Sequence, residues 1–299
     1  MHAQRVVATL VAATILLTAA GCGSDRGAVR TDGSTTTRPT TEPSSVPTTP
    51  TTEVPTRDRR LPADQVVWQA SSGGGLRPVA SAAGDVPAVT LYGDGRIFVA
   101  APDRDQAFDH PIPVRLGHVD PAALAAFVAE VEASGLFDGD PVDLGSPSAT
   151  DGITTTATFG SEHGAVVVSA YFLESEFDDG LSTAQVGRRR ALRALIGRAA
   201  SLATTTRAWV PDRVRVTDVT AGDDLSEAGA AAPWSGPAFA SFLTETASGT
   251  TCGELRGEAA ADAFAAATAN PTVVFSAGGE ARALVVAALL PGEPACAGR

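Results

Sequence analysis

The stretch Ala88-Val89-Thr90-Leu91-Tyr92-Gly93-Asp94-Gly95-Arg96-Ile97-Phe98-Val99-Ala100 decides the fold class. Two apolar runs rich in β-branched and aromatic residues flank a Gly-Asp-Gly loop. Such runs suit a pleated, half-buried surface, and glycine reaches the positive φ of a tight return. The spacing predicts an antiparallel hairpin. The pattern recurs twice. Ile153 to Phe159 and Ala165 to Phe172 surround a turn at Ser161 to Gly164, and Thr272 to Ser276 and Arg282 to Leu290 surround Gly278-Gly279. Thr154, Thr155, Thr156 and Thr158 in one arm suit an exposed sheet edge or face. Val66 to Ala70, Ile112 to Leu116 and Val214 to Val219 are single-strand candidates.

Helices separate these strands. Asp120 caps a helix that Pro121 opens, with Leu124, Phe127, Val128 and Val131 on one face. Gly135 ends it, and Leu136 is placed for the apolar contact of a glycine C-cap. A second helix is predicted from Thr183 to Ala203, with Leu192, Leu195, Ile196, Ala199 and Leu202 as its buried stripe. A third spans Glu258 to Ala269 and stops before Pro271. Hairpins mixed with about three helices indicate an α+β fold on antiparallel sheet. Strict βαβ alternation is absent. The folded region is expected over residues 61–299, with a weaker reading that divides it near residue 205.

The residues before it differ in kind. Met1 to Arg5 is short and basic, and Val6 to Leu17 is apolar but below the roughly 20 residues a bilayer crossing needs. Small residues then precede Cys22. Residues 1–21 are therefore expected to be an export signal. From Thr31 to Thr56, threonine, serine and proline supply 19 of 26 residues. Such a stretch cannot bury enough apolar surface to offset chain entropy of about 1–2 kcal/mol per residue. Residues 22–60 are expected to be a disordered tether, able to reach about 120 Å when extended.

Composition excludes whole chemistries. All 22 basic residues are arginine. Without lysine there is no lysine Schiff base, no phosphate-loop lysine and no Ser-x-x-Lys nucleophile. The net charge of −12 argues against nucleic acid as a partner. Cys252 and Cys296 are expected to pair as a disulfide in an oxidising compartment. A metal pair is the alternative, although no histidine or third cysteine lies near them.

Candidate site residues are sparse. His110, His118 and His163 make no helical zinc pattern. Asp103, Asp105 and Asp109 match a calcium loop only at its start, since Phe108 and Val114 stand where Gly and Glu are needed. Glu174, Glu176, Asp178 and Asp179 form an acidic cluster expected at a solvated loop and helix N-terminus. Gly73-Gly74-Gly75 lacks the following helix of a dinucleotide loop. On the second helix, Arg189, Arg190, Arg193 and Arg198 project away from the apolar stripe and are expected to be solvated. Arg188 projects to the edge of the stripe and is expected to snorkel to the surface or to pair with a carboxylate such as Glu174. No catalytic residue, metal or cofactor is assigned.

Two resemblances add to this reading. Leu17-Thr18-Ala19-Ala20-Gly21-Cys22 resembles the lipobox of bacterial lipoproteins, with Ala19 where that family prefers Leu or Val. It implies cleavage after Gly21 and a lipid thioether on Cys22, holding the chain on the outer face of a membrane. The segment from Pro87 to Arg96 resembles a hairpin of actinobacterial secreted proteins and lipoproteins. The run Leu289-Leu290-Pro291-Gly292-Glu293-Pro294-Ala295-Cys296, with Cys252 upstream, resembles their C-terminal end. That likeness implies one continuous architecture and supports the cysteine pairing, but implies no activity. The expected function is a non-enzymatic, membrane-anchored envelope module that binds a partner protein, wall polymer or small ligand. The competing expectation is a surface hydrolase with a dispersed site built on His118, Asp120 and an acidic loop.

Overall fold

The computed structural model describes residues 61–102, 111–175, 177–221, 231–270 and 274–296. The expected signal and tether with Cys22, and Asp103, Asp105, Asp109, His110 and Glu176, lie outside them.

The first half builds a seven-stranded antiparallel sheet. Its strands are β1 (Val66–Gly73), β2 (Val89–Tyr92), β3 (Arg96–Ala100), β4 (Val114–His118), β5 (Thr154–Ser161), β6 (Gly164–Tyr171) and β7 (Thr206–Ala208), in the spatial order β6-β5-β1-β2-β3-β4-β7. Two of the expected hairpins are present as β2–β3 and β5–β6. Gly95 turns the first at φ 86°, a conformation a side chain would strain. β5 lies inside the sheet and β6 forms its edge, so the threonines mark a face. Thr155 points into the core and Thr154, Thr156 and Thr158 are half-buried on the other side.

Three helices belong to this half: α1 (Val79–Ala83), α2 (Pro121–Ala133) and α3 (Thr183–Ala200). Asp120 accepts the Ala122 amide at the start of α2, as expected of the cap. Ser182 and Gln185 form a reciprocal capping box on α3. Phe127 and Val131 of α2 and Leu192, Leu195 and Ala199 of α3 pack over one face of the sheet. Aromatic rings lock this layer: Trp68 lies 5.5 Å from Phe127 and 5.3 Å from Phe137, which reaches Phe159 at 5.9 Å.

The second half builds a six-stranded sheet from β8 (Arg213–Asp218), β9 (Ala232–Pro233), β10 (Thr244–Glu245), β11 (Thr251–Arg256), β12 (Val274–Ala277) and β13 (Glu280–Ala288). Their spatial order is β10-β11-β8-β13-β12-β9, antiparallel except for β9 beside β12. β12–β13 is the third expected hairpin. One helix, α4 (Glu258–Ala269), covers a face of this sheet with Ala260, Ala263 and Ala267. β13 lies between β8 and β12, and all its residues from Ala283 onward are buried. A strand covered on both faces has to be continuously apolar.

The halves are joined in two places. Ala80 of α1 packs with Val219, Ala283 and Val285, and Arg215 donates to the carbonyls of Ala83 and Asp85. Tyr92, Phe98 and Val114 pack on Ala288 and Leu290, and the Tyr92 hydroxyl donates to the Pro291 carbonyl at 2.7 Å. Cys252 on β11 is disulfide-bonded to Cys296 across a Cα separation of 5.9 Å. No helix among the described residues is long and apolar enough to cross a membrane.

Candidate functional site

Two hollows open on opposite faces of the C-terminal end of β1. On the outer face, Ser71, Gly73, Asp85, Val86, Pro87, Thr154 and Thr156 line an open depression of about 460 Å³. Beneath the helix layer, Ser72, Thr155, Leu173, Glu174, Arg193 and Ile196 line a smaller one of about 230 Å³.

Local sequence explains the opening. Beyond Gly73 the chain passes through Gly74 and Gly75 at φ 74° and 72°. A Cβ on Gly75 would come within 2.9 Å of the Asp151 carbonyl, so the turn needs glycine on two counts. The glycine run is therefore a bend that ends β1. The short helix α1 follows it instead of the long helix of a nucleotide loop.

The outer hollow has hydroxyls and one carboxylate. Arg77 grips Asp85 with both terminal nitrogens, at 3.0 and 2.6 Å. The pair lifts the Arg77 guanidinium above its ordinary value, chiefly through this hydrogen bond. Asp85 is thus a fixed charge-paired wall. In the inner hollow, Ser72 Oγ donates to Glu174 and lies 3.3 Å from the Thr155 hydroxyl. Arg193 Nη1 donates to the carbonyls of Leu173 and Ser175, holding the segment that carries Glu174.

The arginines of α3 depart from expectation. Arg189 is not solvated: it is 0 % exposed. It donates to the carbonyls of Leu144, Tyr171 and Phe172 at 3.4, 3.0 and 2.8 Å. Burial first, then the neighbouring Arg193 charge, pulls its guanidinium below the usual value. The apolar stripe was projected from the later turns of the helix, which face the sheet. The first turns face irregular chain around Leu144 and Phe172, whose carbonyls lack strand partners and need donors. Phe172 itself holds φ 56°. Arg188 reaches the surface, one of its two expected placements, and bonds the Asp143 carbonyl; Glu174 is taken by Ser72. Arg193 is half-buried, and Arg198 is exposed and lies 3.7 Å from Glu130. Arg190 is exposed, as expected. The basic run is mostly a set of clamps on loop carbonyls.

The remaining candidates disperse. His118 is exposed at the end of β4, and His163 sits in the β5–β6 turn, where its amide donates to Ser161. Asp120 serves as the cap of α2. Among the described residues, no hydrogen bond or ion pair joins His118 or Asp120 to Glu174, Asp178 or Asp179, and no group of three acidic, histidine or cysteine residues could hold a metal. Asp178 and Asp179 lie in the loop before α3, where the carbonyl of Asp179 accepts the Ser148 amide. Sequence reasoning missed Ser71, Ser72, Asp85 and Arg77. Serines near a strand end and an Arg eight residues before an Asp give no periodic signal.

No protein-family model matches the chain, and no curated protein or solved structure matches it. The chemistry of these residues is therefore the ground for a functional reading.

Proposed function

We propose that this chain is a membrane-anchored lipoprotein of the cell envelope, held by lipid on Cys22, whose folded region is a binding module for an envelope protein or wall polymer. The observation that carries this reading is the outer hollow. Ser71, Thr154 and Thr156 offer hydroxyls that both donate and accept, while Asp85 is neutralised by Arg77. A wall of that kind suits a neutral, hydroxyl-rich ligand such as a polysaccharide segment. The lipobox-like sequence and the Thr/Ser/Pro stretch behind it support a domain displayed at a distance from a bilayer.

Titration of the full chain with soluble wall polysaccharide, followed by calorimetry, tests the module. Thr156→Val together with Ser71→Ala should weaken binding at least tenfold while leaving the melting temperature within a few degrees. Wild-type affinity in that variant would remove the hollow from the proposal. Mass spectrometry of the native N-terminus tests the anchor separately, through a diacylated cysteine.

The alternative, a surface-anchored hydrolase, draws support from the Ser72 hydroxyl held against Glu174 in the inner hollow. A carboxylate can accept a hydroxyl proton, although a triad places an imidazole there. Labelling by a serine-hydrolase probe, lost in Ser72→Ala, would establish this reading in place of the first.

A further inference from the structure

Among the described residues the two sheets end in four edge strands, and they are not alike. β7 has three residues, one of them Arg207. β9 has two and ends in Pro233, and β10 has two and includes Glu245. Short length, charge and proline are the usual protections of a sheet edge. β6 has none of them. It runs for eight residues, Gly164-Ala165-Val166-Val167-Val168-Ser169-Ala170-Tyr171, without a charge or a proline.

Its register shows which backbone groups have no strand partner among the described residues. Phe172 N donates to Ile153 O, and β6 pairs with β5 back to Gly164 opposite Ser161. In an antiparallel ladder the hydrogen-bonded positions alternate, so the even-numbered residues of β6 bond to β5. The amides and carbonyls of Ala165, Val167 and Ser169 then point away from the sheet. Those three residues are exposed, Val167 at 58 %. The next outward carbonyl, that of Tyr171, is taken by Arg189, which ends the open stretch.

We propose that β6 pairs with β6 of a second copy of this chain, antiparallel about a two-fold axis through Val167. The strand is complementary to itself. This register sets Val167 against the partner's Val167, Val166 against the partner's Val168, and Ala165 against the partner's Ser169. No pair brings two charges together, and the outward groups of three residues on each copy form about six hydrogen bonds. The two exposed Val167 side chains cover each other on the outer face. Val168 and Ala170 are already buried on the inner face, so neither helix layer has to move. The contact is isologous and closed, which ends assembly at two copies. A strand-edge interface is small, so association is reversible, at micromolar or weaker affinity. The inference uses neither hollow and holds with or without the lipid anchor.

Sedimentation velocity of the full chain over a concentration series tests it. The wild type is expected to pass from monomer to dimer. Val167→Arg sets two like charges across the axis and should raise the midpoint concentration at least tenfold, with an unchanged circular dichroism spectrum. Val167→Thr should keep the dimer. If Val167→Arg fails to fold, Ala165→Pro removes an outward donor without touching the β5 bonds and should weaken the dimer similarly. A wild type that stays monomeric into the millimolar range overturns the proposal. So does a dimer indifferent to these substitutions, or a β6 edge that pairs only with a strand from a different protein.

Discussion

The two sheets reach a buried core by opposite means. The first uses bulk: Trp68, Phe127, Phe137 and Phe159 interlock between the strands and two helices. The second uses closeness. Its helix α4 approaches on Ala260, Ala263 and Ala267, so each residue of that helix contributes little apolar area. Its clustered aromatic rings come from outside the helix: Trp234 meets Phe239 and Phe275, and Phe242 joins Trp234 while lying against Gly253 of β11. A sheet with such thin cover needs other ties, and it has them in the disulfide and in the Arg213–Glu254 ion pair at 2.7 Å. Two antiparallel-rich sheets of similar size, seven strands and six, therefore draw their stability from different sources.

The contrast can be broken most strongly in the first sheet. Trp68→Ala should cost about 3–5 kcal/mol, read by urea unfolding, because it removes the ring the others meet. Loss of hydrogen-exchange protection confined to the second half would contradict the assignment. In the second sheet, Cys252→Ser should cost about 2–4 kcal/mol by the same assay, given a cross-link spanning 44 residues. Exchange should then rise in β10 and β11 before β2 and β5. The smallest effect sharpens the electrostatic side. Hydrogen bonding to Arg213 holds the Glu254 carboxyl below its usual range. Its stabilisation is therefore present at neutral pH and lost as acid titrates the folded carboxyl. Glu254→Gln should lower stability at pH 7 and flatten its decline below about pH 4.5, measured by thermal unfolding. Trp68→Ala should leave that slope unchanged.

Much of the architecture was legible because it is periodic. All three hairpins and the three longer helices announced themselves through alternation, caps and glycines, and α4 runs over the same residues that Pro271 and the alanine pattern indicated. Elements whose stability comes from elsewhere were silent. β11, Thr-Cys-Gly-Glu-Leu-Arg, mixes glycine and charge and is a strand because β8 and β10 hold it. The two-residue strands β9 and β10 have no period at all. β4 begins two residues later than expected, since its ladder with β3 starts at the Val114–Ala100 pair. The site was less legible than the fold. Arg189 was misplaced because helical projection assumes a uniform neighbour along the helix, and its first turns meet irregular chain. The cysteine pairing was readable because only two cysteines follow Cys22, whereas Ser72 meeting Glu174 depends on contacts far apart in sequence.

The placement of β13 sets an order of events as the chain emerges, N-terminus first. Every strand of the seven-stranded sheet has appeared once Ala208 has emerged, and that sheet can complete itself while synthesis continues. The other sheet has a gap at its centre until the residues up to Ala288 arrive, and its covalent lock waits for Cys296. During that interval β8 offers an open flank, and Arg213 and Arg215 along it place charges where a stray strand would otherwise dock. β8 thus waits with one flank open for β13, as β1 of the early sheet waits for β5, but only the late sheet also waits for its covalent lock.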